Sequence, residues 1–313
     1  MKLSKKWLLM SSLAIVSAMT LAACGSSEKT DKPEEAAAAE SNNWPEKLTI
    51  VQMPDENNPD AGQKNDDFRE AMTEYLGIEV VEMEGADYAV GIEALKSEKL
   101  DIMLVSPMSY YQAKERANIE PLVTTTSMGN EPYKTAFITH ADNKDINELA
   151  DLKDKTFAFV DPASSSGYMY PKAKLVTALD LDPEKMENPG YFFKTVAYSG
   201  KHDTSLMGVT MGDYDAAAVA LQTINSLDEA GIIDSDDVKV IGETDEIPNA
   251  AYIMRGNLPS DLKEKIKTFY LEYDEPSYFE INYQDPSIRF TESKDSDFEI
   301  IKEMITLLGL EAK

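Results

Sequence analysis

The sequence predicts an α/β protein of two lobes, each built on a mostly parallel sheet. Short apolar runs alternate with helical segments, the signature of βαβ units. The alternation lapses and then resumes after residue 135. The 313 residues suffice for two cores, and a single cysteine leaves no internal disulfide to replace one.

Lys47 to Met53 reads as the first strand. A loop rich in Pro, Asn and Asp follows, then a helix over 62–76 that Gly77 stops. Ile78–Met83 is a strand, Tyr88–Lys99 a helix, Leu100–Val105 a strand and Met108–Ala117 a helix. Further strands are expected near 135–140, 156–160, 193–199, 215–220 and 250–255, with helices between them. Ser260–Tyr273 and Ser296–Leu308 read as closing helices. The last carries a capping-box pattern, Ser296-x-x-Glu299, ahead of Ile300, Ile301, Met304, Ile305 and Leu308 on one side. This arrangement puts lobe one at 45–134 plus 253–313 and lobe two at 135–252. The crossings are expected near Lys134–Thr139 and Ala251–Arg255.

The N-terminus points outside the cytoplasm. Lys2, Lys5 and Lys6 precede an apolar stretch, Trp7 to Leu21, that is short and Ser/Ala-rich for a membrane span. Leu21-Ala-Ala-Cys24-Gly25 then looks like the lipobox of a bacterial lipoprotein, so residues 1–23 are expected to be a signal peptide and Cys24 the lipid-bearing residue. Residues 24–44 are polar and read as a flexible tether. Loss of 1–23 takes three lysines and moves the net charge from −27 to −30. Such acidity argues against nucleic acid, whose contacts need Lys and Arg. It does not exclude a small anion, because exposed charges are screened beyond about 10 Å and local donors decide.

One stretch offers such donors: Phe157-Ala-Phe-Val-Asp161-Pro-Ala-Ser164-Ser165-Ser166-Gly167. A buried strand ends at Asp161-Pro162, and a helical segment follows the serines. Free backbone N–H groups, the positive end of the helix dipole and three hydroxyls make a seat for an oxyanion. The same residues also make an ordinary Ser/Asp N-cap with no ligand. Pro171 removes a hydrogen bond about one turn in, so an irregular first turn is expected. A second strand-to-helix turn, Tyr198-Ser-Gly-Lys-His202-Asp203-Thr204, offers His202 as a donor, with Asp203 or Thr204 as cap. His140 ends a strand and has only a surface reading. Tyr88, Tyr110 and Tyr133 lie at turns or strand ends, where tyrosine supplies an apolar wall and one hydroxyl.

Together, FVDPASSSGYMYP, SGKHDTSLMGV…GDYDAAAV, ADYAVGIEAL…LDIMLVSPMSYYQA and EPYKTAFI resemble the phosphonate/phosphite-binding lipoproteins of ABC importers, over about residues 47 to 255. The resemblance implies a two-lobed periplasmic-binding-protein fold (type II), with a hinge and a central cleft. It implies that Ser164, Ser165 and Ser166 take the phosphonate oxygens after Asp161, that His202 adds a donor, and that Tyr88, the Ser106–Tyr110 turn and Tyr133 close the site. Expected partners are a phosphite-, methylphosphonate- or related phosphonate-type anion and the permease subunits. The membrane is touched through the lipid alone, and the protein is expected to be a monomer. No metal or cofactor is expected.

The pattern breaks in one place. Family members that bind 2-aminoethylphosphonate hold its ammonium with two carboxylates, and the corresponding positions here are Gln222 and Asn249 or Ala250. A buried ammonium without a carboxylate is costly, so a ligand without a cation is favoured: phosphite, methylphosphonate or phosphate. An anion-sensing ectodomain would use the same cleft. A secreted serine hydrolase is the rival of another class, but no GxSxG elbow is present and His202 and Asp203 are adjacent, a poor geometry for one to orient the other.

Overall fold

The computed structural model describes residues 43–51, 59–83, 87–126, 132–283 and 285–310. Cys24, the signal peptide, the tether up to residue 42 and Met53 therefore lie outside the described residues. Among the described residues no helix is long and apolar enough to cross a membrane.

The first sheet has the order β11-β4-β10-β3-β1-β2. Its strands are β1 (Lys47–Val51), β2 (Glu79–Glu82), β3 (Ile102–Val105), β4 (Ile119–Thr125), β10 (Ala251–Arg255) and β11 (Phe290–Glu292). β1 pairs in parallel with β2 and β3, whereas β10 runs antiparallel between β3 and β4. The second sheet, β7-β6-β8-β5-β9, comprises β5 (Thr135–His140), β6 (Thr156–Phe159), β7 (Thr195–Tyr198), β8 (Ala216–Ala220) and β9 (Val238–Glu243). Here β6 is parallel to β7 and β8, and β5 is antiparallel to β8 and β9. In the first sheet β10 and β11 both run against the other four strands, and in the second sheet β5 alone is reversed; β10 and β5 are each the first strand after a passage from the other sheet.

Helices α1 (Pro59–Leu76), α2 (Tyr88–Lys96), α3 (Pro107–Arg116), α7 (Ser260–Glu272) and α8 (Pro276–Tyr283) accompany the first sheet; α4 (Tyr170–Leu179), α5 (His202–Thr210) and α6 (Leu221–Glu229) accompany the second; α9 (Glu299–Leu308) packs against both α3 and α4. The period-2 alternation of strand side chains sorts the core. On β8, Ala216 and Ala218 face a cluster with Phe137, Phe157 and Val105, while Ala217 and Val219 face Leu206 and Val209 of α5. The first of these clusters runs without a break between residues of the two sheets. The far face of the first sheet is aromatic: Phe68 stacks on Tyr278 at 4.9 Å and meets Phe269 and Tyr270 edge-on. Such pairs contribute about 0.5–1.5 kcal/mol each beyond area burial.

The chain passes between sheets twice, and the two passages are tied together. Thr135 N–H donates to Thr244 Oγ1 at 2.9 Å, Thr244 N–H to Thr135 O at 3.1 Å, and Ile247 N–H to Tyr133 O at 2.8 Å.

Two expectations about helix starts are corrected. Residues Asp295–Phe298 form a 3₁₀ turn and α9 begins only at Glu299. Asp297, not Ser296, caps the turn by accepting the Lys294 N–H at 2.8 Å. The register is set by Phe298, which is buried and stacks on Tyr110 at 3.9 Å. Similarly, α5 starts at His202 with Lys201 at its N-cap, so Asp203 and Thr204 lie inside the first turn.

Candidate functional site

The serines sit on an unusual helix start. After β6, the Asp161 carboxylate accepts the Ala163 N–H at 2.7 Å and its carbonyl accepts the Ser164 N–H at 2.9 Å, folding the chain back on itself. Ser164 then caps a π-helical turn, Ser165–Met169, by accepting the Gly167 N–H at 3.0 Å. The regular helix α4 starts only at Tyr170, with Pro171 in its first positions, where a missing N–H costs nothing. This is the irregular turn that Pro171 demands. Gly167 is obligatory for space: a Cβ there would come within 2.4 Å of the Val160 side chain.

Ser166 is a hub. Its Oγ accepts from Tyr133 Oη at 2.6 Å and pairs with His202 Nε2 at 3.1 Å. His202 Nδ1 accepts the Ala220 N–H at 2.9 Å, and since an amide can only donate, the ring proton of a neutral His202 is on Nε2. With both acceptor positions of Ser166 Oγ used, its own proton remains to donate. Ser166 O accepts from Thr135 Oγ1 at 2.7 Å. One turn thus collects groups from β5, the segment before it, α5 and the end of β8. All three serines and His202 are at most 2% exposed.

The first sheet reaches the same turn through the start of α3. Ser106 and Ser109 cap each other, Ser106 N–H donating to Ser109 Oγ at 2.8 Å. Ser106 Oγ also donates to Ala163 O at 3.1 Å, and Met108 N–H donates to Ser165 Oγ at 2.8 Å. Two helix starts, each presenting N–H groups, therefore face one another across the sheets. Tyr88, at the first position of α2, is buried against Ala163.

The structure does not bring every expected residue here. Tyr110 points the other way, its ring on Phe298 and its hydroxyl donating to Asp295, because its position on α3 faces α9. Asp161 acts through the backbone of the serine turn. Burial pushes its carboxyl above the usual range, the Ala163 N–H opposes that, and the charge of Asp87 adds to it. Gln222 is not among the residues displaced: it lies at the start of α6, two residues after Ala220, its Nε2 donating to Pro132 O at 3.3 Å. Asn249 Nδ2 donates to Thr125 O at 3.3 Å. His140 Nδ1 accepts a local N–H from Asp142, a surface role.

Sequence reasoning named the Ser106–Tyr110 turn as a whole, but missed Thr135 and the Ala220 amide. It also missed the support beneath α4. There the buried Lys172 pairs with Glu187, whose carboxylate accepts from Tyr168 and Tyr198 as well. Burial alone would raise the Glu187 carboxyl, but these donors outweigh it and hold it below the usual range. A recess of about 360 Å³ elsewhere, lined by Tyr75, Phe269, Tyr273 and three carboxylates, has the wrong charge for an anion.

Residues 50–298 match the family described as phosphonate ABC transporter, periplasmic substrate-binding protein. The chain belongs to this family. The phosphate-import protein PhnD of Mycolicibacterium smegmatis is 24% identical over 314 residues, with 94% of each chain covered. The phosphonates-binding periplasmic protein of Escherichia coli is 28% identical over 211 residues, 66% of this chain and 60% of that one. The crystal structure of PhnD1 from Prochlorococcus marinus, in complex with methylphosphonate, superposes with a TM-score of 0.73 at 19% identity, covering 84% of this chain and 98% of that one. The family fold is two-lobed and periplasmic-binding-protein-like, as the two sheets and their paired crossings require. The family relatives are substrate-binding proteins.

Proposed function

We propose that the chain captures a small phosphorus oxyanion (phosphite, methylphosphonate or a related phosphonate) between lobes 45–134 plus 253–313 and 135–252, and delivers it to an ABC permease. The observation that carries this reading is the convergence on Ser164–Ser166 of hydroxyls, His202 Nε2 and two helix starts drawn from both sheets. Charge-assisted hydrogen bonds contribute about 1.5–3 kcal/mol each. Three or four of them suffice for micromolar affinity, about −8 kcal/mol, after association costs. The protein performs no chemistry on its ligand: His202 Nδ1 accepts the Ala220 amide, at the position where a catalytic triad places its orienting carboxylate. Cys24 carries the lipid that holds the monomer outside the cell membrane.

Calorimetric titration with phosphite, methylphosphonate, phosphate, 2-aminoethylphosphonate and sulfate tests the reading. One of the phosphorus anions without a cationic group is expected to bind at micromolar concentration or tighter. Failure of all three to bind, or steady turnover of an activated phosphate ester, rejects it.

A further inference from the structure

The site described above is built almost wholly of donors, yet one acceptor is buried beside it. Gln222 Oε1 is closed off from solvent and has no hydrogen-bond partner among the described residues. Its orientation is not ambiguous. Pro132 O can only accept, so the nitrogen of the Gln222 amide must face it, which assigns the other atom as oxygen. The Gln222 amide is linked along the chain to two of the anion donors. Gln222 follows Ala220, whose N–H holds His202, by two residues. Pro132, which fixes its nitrogen, immediately precedes Tyr133, whose hydroxyl is on Ser166 Oγ.

A buried acceptor without a donor is expensive, about 1–3 kcal/mol, and such groups persist where a ligand satisfies them. Building on the oxyanion reading, we propose that Gln222 Oε1 accepts the proton of a P–OH group, so that the site takes the singly protonated phosphorus oxyanion and rejects sulfonates of the same shape. Phosphonates, phosphite and phosphate can each offer one oxygen that donates while the others accept from donors such as the Ser166 hydroxyl, whose proton is left to donate by the bonds from Tyr133 Oη and His202 Nε2–H. An alkanesulfonate or sulfate offers only acceptors. It would satisfy every donor in the cluster and set an oxygen lone pair against Gln222 Oε1. Sites built to hydrogen-bond a ligand hydroxyl discriminate strongly against analogues that lack it, because the protein group is then left unpaired. A neutral amide is well suited here, since it accepts the hydrogen bond without adding a negative charge next to an anion.

The test is calorimetry on the full chain with methylphosphonate and methanesulfonate, which share a tetrahedral head and a methyl group and differ in the P–OH. The wild-type chain is expected to prefer methylphosphonate by roughly tenfold or more. Gln222→Leu should erase most of that preference by loosening methylphosphonate, while its melting temperature without ligand holds or rises, since an unpaired acceptor has been removed. Gln222→Met supplies a second apolar variant should the branched side chain disturb α6. Equal binding of the two ligands by the wild-type chain, or a preference that survives both substitutions, overturns the assignment of Gln222. Absence of binding by any phosphorus oxyanion instead removes the reading of the site itself, and this inference with it.

Discussion

Replacing Ser166 by alanine removes a buried oxygen on which two donors converge. In the folded chain Ser166 Oγ receives Tyr133 Oη at 2.6 Å and His202 Nε2 at 3.1 Å, in a turn with no solvent exposure. Without it both donors lose this buried bond, and folding stability is expected to fall by about 1–3 kcal/mol. On the proposed reading the bound anion loses more, since the Ser166 proton would make a charge-assisted bond worth about 1.5–3 kcal/mol, a loss of roughly 10–150-fold in affinity. Urea denaturation reads the first quantity and titration calorimetry with methylphosphonate the second. Tyr133→Phe deletes only one of the converging donors and should weaken binding less. The double variant should cost less than the sum, because both changes act at one atom. A Ser166→Ala protein that is folded and binds methylphosphonate as tightly as the wild type would refute the placement of the ligand at this turn.

Gly167→Ala forces a Cβ to within 2.4 Å of Val160, so the π turn must shift. A loss of about 1–3 kcal/mol in stability and of most binding is expected, and an unchanged melting curve with intact affinity contradicts the close packing. Ser106→Ala cuts the bond to Ala163 O that ties α3 to the serine turn. Affinity should drop severalfold, and stability should fall by about 0.5–2 kcal/mol because Ser106 is also the N-cap of α3; equal affinity would show that this link does not hold the two sheets together. The folded Glu187 carboxyl is held below its ordinary value of about 4.3, so its stabilising contribution is present above that value and is lost as pH falls through the folded one. Glu187→Gln should therefore be less stable than wild type at neutral pH and converge with it in acid; denaturation curves that stay equally separated at both would break the link to Lys172, Tyr168 and Tyr198.

Much of the parallel framework was legible because β1, β3, β6 and β8 are apolar runs closed by turn residues. Less visible were elements whose reason to form lies elsewhere in the chain. β4 contains Pro121, which argues against a strand, and the structure accommodates it where the register with β10 shifts. β9 is a half-exposed edge strand, and β11 has three residues, too few for a periodic signal. α8, with Tyr278 and Phe279, has weak helical character and is held by their burial near Phe68 and Phe290. At the site, the serine turn and His202 stood out because hydroxyls at a strand end are few. Thr135 and the Ala220 amide did not, since their roles come from another segment brought alongside. Tyr110 misled for the converse reason: it neighbours Ser106 in sequence but lies on another face of the helix.

Tyr133 belongs to the strap of chain that leads from one sheet into the other, and its carbonyl is clasped by Ile247 on the returning strap. If the proposed ligand sits at this turn, its latch and the crossing between the sheets are one piece of backbone. Spreading the two sheets apart would then twist those straps and lift the tyrosine hydroxyl away from Ser166, so release would need no separate trigger, and a substitution that stiffens the straps would slow release even where capture is untouched.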